Sequence, residues 1–346
     1  MLPLLRAVAG AKSWQARHTG CKVVQQTALL LRSGVLPCLT ELVQVIAPAL
    51  EDGDSKVRSI AALATRALAE ASAPFGIESF DPVLKPVHKA VTDMGTRGGL
   101  SPRTLAAFLG AAGALVPLME PRHAQWFASQ ILPGTLAQAS SPDEEVRRTV
   151  LRVLRQCVGA EGVGAELVRN EVLPRLFEAF WVRRSALDRR TGMELLATTA
   201  ALGAKLGASP VLSRLAPDLK DESEPYRRLV LRAVHRVLEE QGAGDVGEDL
   251  EELLLDGAIA AFREQGVASA ALEDQGDTAS RASAAAKEVL DGVAAVLSAL
   301  GVRVKPYLSQ ILTVARHRLT HRAASIRLQA AQLVERVAPL LKECEE

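Results

Sequence analysis

Apolar side chains recur every three or four residues along most of the chain, which is the spacing of one face of an α-helix. Residues 36–71 show the pattern most clearly. Its first half carries Leu39, Leu42, Val43, Ile46 and Leu50. Its second half carries Val57, Ile60, Ala61, Ala64, Ala67, Leu68 and Ala71. The stretch predicts two antiparallel helices, and neither can cover its apolar face within the pair alone.

A short polar segment separates the two predicted helices. It reads Glu-Asp-Gly-Asp-Ser over residues 51–55, with Gly53 free to bend the backbone. Asp54 or Ser55 is placed to cap the second helix, and Pro37 suits the first turn of the helix before it. The segment therefore predicts a tight turn between paired helices.

The same unit recurs along the chain, marked by an arginine near the start of each second helix. These markers are Arg17, Arg58, Arg103, Arg147, Arg189, Arg227 and Arg327. Successive markers lie about 40 residues apart, and the last gap fits two units plus an insertion. A period of this length with two helices per unit is typical of HEAT repeats. We therefore predict an all-α fold, a HEAT-repeat right-handed α-solenoid.

About eight repeats account for residues 1–346 as a single array. Their predicted bounds are 1–35, 36–75, 76–117, 118–160, 161–206, 207–241, 242–300 and 301–346. Residues 266–286 have few large apolar side chains, so we predict a flexible loop inserted in the seventh repeat. Neither end shows a polar cap, and we expect a fragment of a longer superhelix.

Composition supports helices and excludes several classes of protein. The chain is 48% apolar and 3% aromatic, with a formal net charge of +1. Any nucleic-acid binding must therefore come from a local patch. Four scattered cysteines without a CxxC pair indicate neither a disulfide framework nor a zinc site. No run approaches the roughly 20 apolar residues that span a bilayer, so we expect no membrane contact.

Signatures of catalysis are absent. The sequence contains no nucleotide-binding glycine loop and no nucleophile elbow. His317 and His321 have a spacing that can hold a metal, but no third ligand completes the set, and an exposed basic helix face is the better interpretation. We expect no catalytic residue, no metal, no cofactor and no small-molecule substrate; the chain is not predicted to be an enzyme.

Basic residues at the starts of second helices are the remaining signal. The candidate RNA-binding residues are Arg17, His18, Lys22, Lys56 and Arg58. Similar stripes follow later helices, at Arg148, Arg152 and Arg155 and at Arg228, Arg232 and Arg236. For each arginine, a structural ladder of salt bridges competes with a phosphate contact, and Asp54, Asp143, Asp188 and Asp221 could serve as partners. Few aromatics make base stacking a poor fit, so any RNA would be held by its backbone.

Several strings are more specific than a HEAT pattern. They include SWQARHTG (residues 13–20), KVRSIAALA (56–64), PFGIESFDPVLKP (74–86), SPDEEVRR (141–148), LKDESEPYRR (219–228) and RVKPYL (303–308). Together with VVQQ, LAAFL and ALDRR they resemble, in order and over nearly the whole chain, the family of the large HEAT-repeat subunit of splicing factor 3b. That family is part of the U2 small nuclear ribonucleoprotein.

The resemblance implies a nuclear, non-enzymatic scaffold in pre-mRNA splicing. In that family the superhelix clasps the duplex of U2 small nuclear RNA and the intron branch site. It also holds other splicing factor 3b subunits, among them a β-propeller subunit and a PHD-finger-like subunit. By motif match, Arg17, His18, Lys22 and Lys56 would fall near the pre-mRNA intron. The turn at residues 92–103 and the segment 266–286 depart from the family. The alternative is a protein-binding HEAT scaffold without RNA contact, of the phosphatase-scaffold or transport-receptor type.

Overall fold

A computed structural model of the chain describes residues 2–92, 100–264 and 276–344. Throughout these ranges the regular elements are helices, and no strand occurs in them. The chain divides into two compact units, Met1–Phe180 and Trp181–Glu346, each packed mainly within itself. The predicted all-α HEAT-type fold is confirmed, and each unit is described by itself below.

The first unit alternates first and second helices of successive repeats. Its helices are α1 Leu2–Ala9, α2 Trp14–Leu31, α3 Leu39–Ile46, α4 Ser55–Ser72, α5 Asp81–Thr92, α6 Pro102–Leu115, α7 Pro121–Ala137, α8 Glu144–Gly159, the short α9 Ala165–Leu167 and α10 Leu173–Phe180. The odd-numbered helices α1, α3, α5 and α7 pack in succession, and so do α2, α4, α6 and α8. The unit therefore has a first-helix layer and a second-helix layer with the apolar core between them.

The second unit repeats this arrangement. Its helices are α11 Arg189–Leu206, α12 Ser209–Leu215, α13 Glu224–Gln241, α14 Glu248–Glu264, α15 Gly276–Leu300, α16 Leu308–Leu319 and α17 Ala324–Glu343. The second helices α11, α13, α15 and α17 pack in order, and the first helices α12, α14 and α16 form the other layer. Phe262, Leu254 and Val296 lie buried between the layers.

Capping residues begin several of the second helices. Asp54 accepts a hydrogen bond from the Lys56 backbone N–H at 2.8 Å, which caps α4. Asp143 caps α8 in the same way through the Glu145 N–H at 2.8 Å. Asp188 caps α11 through the Arg190 and Thr191 N–H groups. Each cap satisfies donors that the helix itself leaves unpaired.

The predicted flexible loop at residues 266–286 was wrong in its second half. Helix α15 begins at Gly276, so residues 276–286 are helical. This stretch of the sequence is rich in alanine, including Ala284, Ala285 and Ala286, and alanine has the highest helix propensity. Propensity outweighed the lack of large apolar side chains. Residues 266–275 lie outside the described ranges, as do residues 95–99 of the predicted Gly-rich turn.

One stretch departs from the sequence-based expectation about membranes. The continuous helical stretch Trp14–Glu51 is long and apolar enough to span a bilayer by length and composition. It consists of α2 and α3 with 3-10 turns at Arg32–Cys38 and Ala47–Glu51. Apolar side chains on it, such as Val24 and Ile46, are buried in the first unit, where α2 and α3 both pack against α4. Packing within the repeat array therefore accounts for some of its apolar character.

Candidate nucleic-acid interface

Four side chains on the second helices α2 and α4 form a basic and aromatic group. Trp14, His18 and Lys22 recur every four residues, so they lie along one face of α2. The Trp14 and His18 rings meet edge to face, with centroids 6.4 Å apart. Lys56, on α4, places its Nζ 4.8 Å from the centroid of the Trp14 ring. We call Trp14, His18, Lys22 and Lys56 the α2/α4 cluster.

The two lysines of the α2/α4 cluster point their charge into solvent. Lys22 and Lys56 are both exposed, and among the described residues neither has an ion pair. Lys56 sits over an aromatic face, which attracts a cation without neutralising it. The cluster can therefore offer positive charge to an anion such as a phosphate.

Arg17 lies on the same helix, but its guanidinium group is hydrogen-bonded to other residues of the chain. Its Nε and Nη2 donate to the two carboxylate oxygens of Asp52 at 2.6 and 2.9 Å. Its Nη1 donates to the backbone carbonyls of Ala11 and Lys12 at 3.0 and 2.9 Å. The guanidinium thus joins the turn before α2 to the turn before α4. The hydrogen bonds from Arg17 hold the pKa of the Asp52 carboxyl below its usual value, against the opposing effect of burial.

Arg58 has a similar role in the next repeat. Its Nη1 donates to the carbonyls of Asp52 and Gly53 at 2.6 and 3.1 Å. Arg227 and Arg327 also donate through Nη1 to carbonyls five or six residues before them. The marker arginine therefore closes the turn in front of its own helix, because its long side chain reaches back to the carbonyls exposed there.

The sequence left open whether the marker arginines form salt bridges with acidic residues. Arg17 does form one, but its partner is none of the four aspartates that the sequence suggested. Asp52 accepts from Arg17, whereas Asp54 caps α4. The Asp221 carboxylate accepts from Arg183 at 3.0 Å, whereas the marker Arg227 donates to the Asp221 backbone carbonyl. Sequence spacing cannot tell which carboxylate faces which arginine, since that depends on how successive repeats stack.

Arg147 is a marker arginine with a different environment. It is buried over the Phe180 ring, with its guanidinium carbon 5.1 Å from the ring centroid. One of its terminal nitrogens donates to the Ala179 carbonyl at 3.1 Å. The side chain therefore joins α8 to the end of α10 and does not reach the surface that a nucleic acid would contact.

Trp14 is the member of the cluster that sequence reasoning missed. Low aromatic content argues against a stacking role, and the sequence singles out Trp14 only within the SWQARHTG string. Its spacing of four residues from His18 was the available signal. The contact with Lys56 could not be foreseen, because the two residues lie on different helices that pack together.

We also searched the described residues for a metal site and for reactive cysteines. No group of three or more metal-ligating side chains occurs among them. Nδ1 of His321 accepts the Ala323 N–H at 3.1 Å, so it caps a turn. The four cysteines are unpaired, and burial raises the pKa of the Cys21 thiol to about 11 and that of Cys157 to about 12. Both thiols therefore stay protonated and unreactive near neutral pH.

Comparison with known proteins assigns the chain to a family. No protein-family model matches the chain. Over its full length the chain is 43% identical to the U2 snRNP component prp10 of Schizosaccharomyces pombe and 36% identical to the U2 snRNP component HSH155 of Saccharomyces cerevisiae. The chain belongs to the splicing factor 3b subunit 1 family. It spans 27% of the length of prp10 and 33% of the length of HSH155, so it corresponds to one portion of these relatives.

Solved structures agree on the fold alone. A Kap95:Nup1 complex matches 99% of the chain and 42% of its own matched chain, with a TM-score of 0.65 and 14% identity. A crystal structure of importin beta matches 99% of the chain and 50% of its own, with a TM-score of 0.56 and 9% identity. At such identity the likeness extends to stacked helix pairs and carries no function.

Proposed function

We propose that the chain is a scaffold segment of the splicing factor 3b complex in the nucleus, supporting branch-site recognition by holding the pre-mRNA backbone and partner subunits. The observation that carries the proposal is the sequence similarity of the whole chain to two U2 snRNP components, at 43% and 36% identity. The likeness to importin beta is a likeness of fold at 14% identity or less, so the transport-receptor alternative is not favoured.

Within that role, the α2/α4 cluster supplies the RNA contact. Lys22 and Lys56 present unneutralised charge on adjacent second helices, Lys56 at the start of α4 and Lys22 near the middle of α2. Lys56 covers one face of Trp14, so this ring cannot stack successive bases on both faces. The lysine charges suit phosphates rather than base edges. We therefore propose that the intron or U2 RNA backbone passes over Lys22, His18 and Lys56.

We assign Arg17 and Arg58 a supporting role in the same proposal rather than a direct contact with RNA. Both were candidates for direct RNA contact, and both donate to carbonyl or carboxylate oxygens of the turns beside them. We propose that they act as positioning residues that fix the starts of α2 and α4. The lysines then hold a constant position relative to one another, which a contact with two phosphates of one RNA strand requires.

The partner subunits follow from the family rather than from a surface of this chain. We propose contacts with the β-propeller and PHD-finger-like subunits and a non-catalytic role.

Crosslinking in an assembled particle tests the proposal. A photoreactive amino acid replaces Lys22 or Lys56 in turn, and a third variant carries it at Lys205 on α11 as the control. We expect intron or U2 RNA crosslinks from the first two positions and none from the third. Incorporation into the particle without any crosslink at residues 22 and 56 would leave the scaffold role and remove the RNA contact. Failure of the chain to enter the particle would contradict the scaffold role itself.

A further inference from the structure

The first-helix layer of the first unit carries an exposed aromatic ring that the RNA proposal does not use. Trp126 on α7 is 56% exposed, a high value for the largest apolar side chain. Its ring stacks on His88 of α5, with centroids 5.5 Å apart and planes 16° from parallel. His88 also contacts the Phe127 ring at 5.8 Å. The indole is therefore held in one orientation before any ligand arrives.

Three cations lie on the two helices that carry this stacked pair. Lys85 precedes His88 by three residues on α5, on the same side of the helix, and Lys89 follows His88 directly. Arg122 precedes Trp126 by one helical turn on α7. Lys85, Lys89 and Arg122 are exposed, and none has an ion pair in the described ranges of the chain. We call Lys85, His88, Lys89, Arg122 and Trp126 the α5/α7 patch.

We propose that the α5/α7 patch docks an acidic peptide segment of a protein partner, with an aromatic or aliphatic residue of that segment packed on Trp126. The proposal extends the scaffold role given above and does not depend on RNA binding at the α2/α4 cluster. Charge complementarity selects the occupant, because three cations without ion pairs in the described residues flank an apolar centre.

Two features favour a peptide over RNA at this patch. Binding energy in protein interfaces concentrates in a few central aromatic residues with a polar rim, and Trp is among the commonest. One indole with its second face covered by His88 can stack a single base but not the successive bases that hold a single strand.

The test selects the ligand without presupposing it. A random peptide display library is panned against the full chain, and enriched peptides are measured by fluorescence polarisation. We expect enriched peptides with net negative charge and one large apolar residue. Trp126→Ala should weaken their binding roughly tenfold, and the pair Lys85→Glu with Lys89→Glu should do so most strongly at low salt.

Matched variants separate this surface from others. Leu187→Ala removes an apolar side chain that is 78% exposed in the second unit, and should leave peptide binding unchanged. Lys22→Glu with Lys56→Glu should also leave it unchanged, so that loss of RNA binding and loss of peptide binding are distinguishable. Thermal midpoints within experimental error of the parent chain would show that each variant is folded.

Four results would overturn the proposal. They are no enrichment above background, enrichment of basic or uncharged peptides, acidic peptides indifferent to Trp126→Ala, and a uridine-rich oligonucleotide whose binding needs Trp126 while the peptides do not.

Discussion

Basic residues lie on second helices in both units, but their charges meet different surroundings. On α13 of the second unit, Arg232 lies 3.6 Å from Glu288 and Arg236 lies 3.0 Å from Glu240. In the first unit, Lys22 and Lys56 have no ion pair among the residues that the structure describes. The arginines on α13 are therefore neutralised by carboxylates of their own unit, whereas the two lysines of the α2/α4 cluster keep their charge.

The marker arginines, in contrast, have the same role in both units. Arg17, Arg58 and Arg227 all donate through Nη1 to the turn in front of their helix, in both units alike. Their role follows from local geometry that these repeats share. The lysines differ because their surroundings come from residues on neighbouring helices. A basic residue that recurs in each repeat is structural where its hydrogen-bond acceptor recurs as well. It is available to bind a ligand where that acceptor is missing.

The largest expected effect tests whether free charge decides RNA binding. Lys22→Glu with Lys56→Glu should weaken binding of a short intron oligonucleotide roughly tenfold to a hundredfold, because two phosphate contacts become repulsive. The matched reversal, Arg232→Glu with Arg236→Glu, should change it less, since those charges are already paired. Fluorescence polarisation at several salt concentrations measures both. Equal losses from the two reversals would mean that general charge, and not the α2/α4 cluster, binds RNA.

A smaller effect concerns the clamp between the first two repeats. Asp52→Ala should destabilise the first unit by about 2 kcal/mol, because it removes the two carboxylate oxygens that accept from Arg17, on a side chain that is 8% exposed. The neighbouring Glu51→Ala removes an exposed carboxylate and should have an effect of less than about 0.5 kcal/mol. Urea unfolding followed by circular dichroism measures both. Indistinguishable curves would show that the clamp adds no stability.

The smallest effect is the pH dependence of that clamp. Because the pKa of Asp52 is lowered in the folded chain, its contribution to stability is complete above the usual value of about 4 and is lost as the pH falls through the folded pKa. The difference in stability between the parent chain and Asp52→Asn should therefore be constant near neutral pH and shrink below about pH 4. A difference that does not change with pH would assign the effect of Asp52 to packing and not to its charge.

Much of the fold could be predicted from residues near one another in the sequence. Asp54 was recognisable as a candidate cap because a cap bonds donors only two or three residues away. The helical period and the marker arginines indicated the repeat for the same reason. The error at residues 276–286 was also local, since alanine propensity was weighed too lightly against missing large apolar residues.

The candidate site could be predicted only incompletely. His18, Lys22 and Lys56 were selected by their positions, and the structure brings Lys56 to the face of α2 that carries His18. Two contacts were not predictable, Trp14 beneath Lys56 and Asp52 rather than Asp54 as the acceptor of Arg17. Each of them joins residues of adjacent repeats that lie far apart in the sequence, as the Arg17–Asp52 separation of 35 shows.

By itself, the sequence determined that this chain forms paired helices with capped second members and an arginine closing each of several turns, because those features depend on periodicity and on donors within one helical turn. The tertiary structure decided which cations remain free and which aromatic rings lie beside them. Those outcomes depend on how helices of adjacent repeats stack, and no spacing along the chain encodes the distance across that stack.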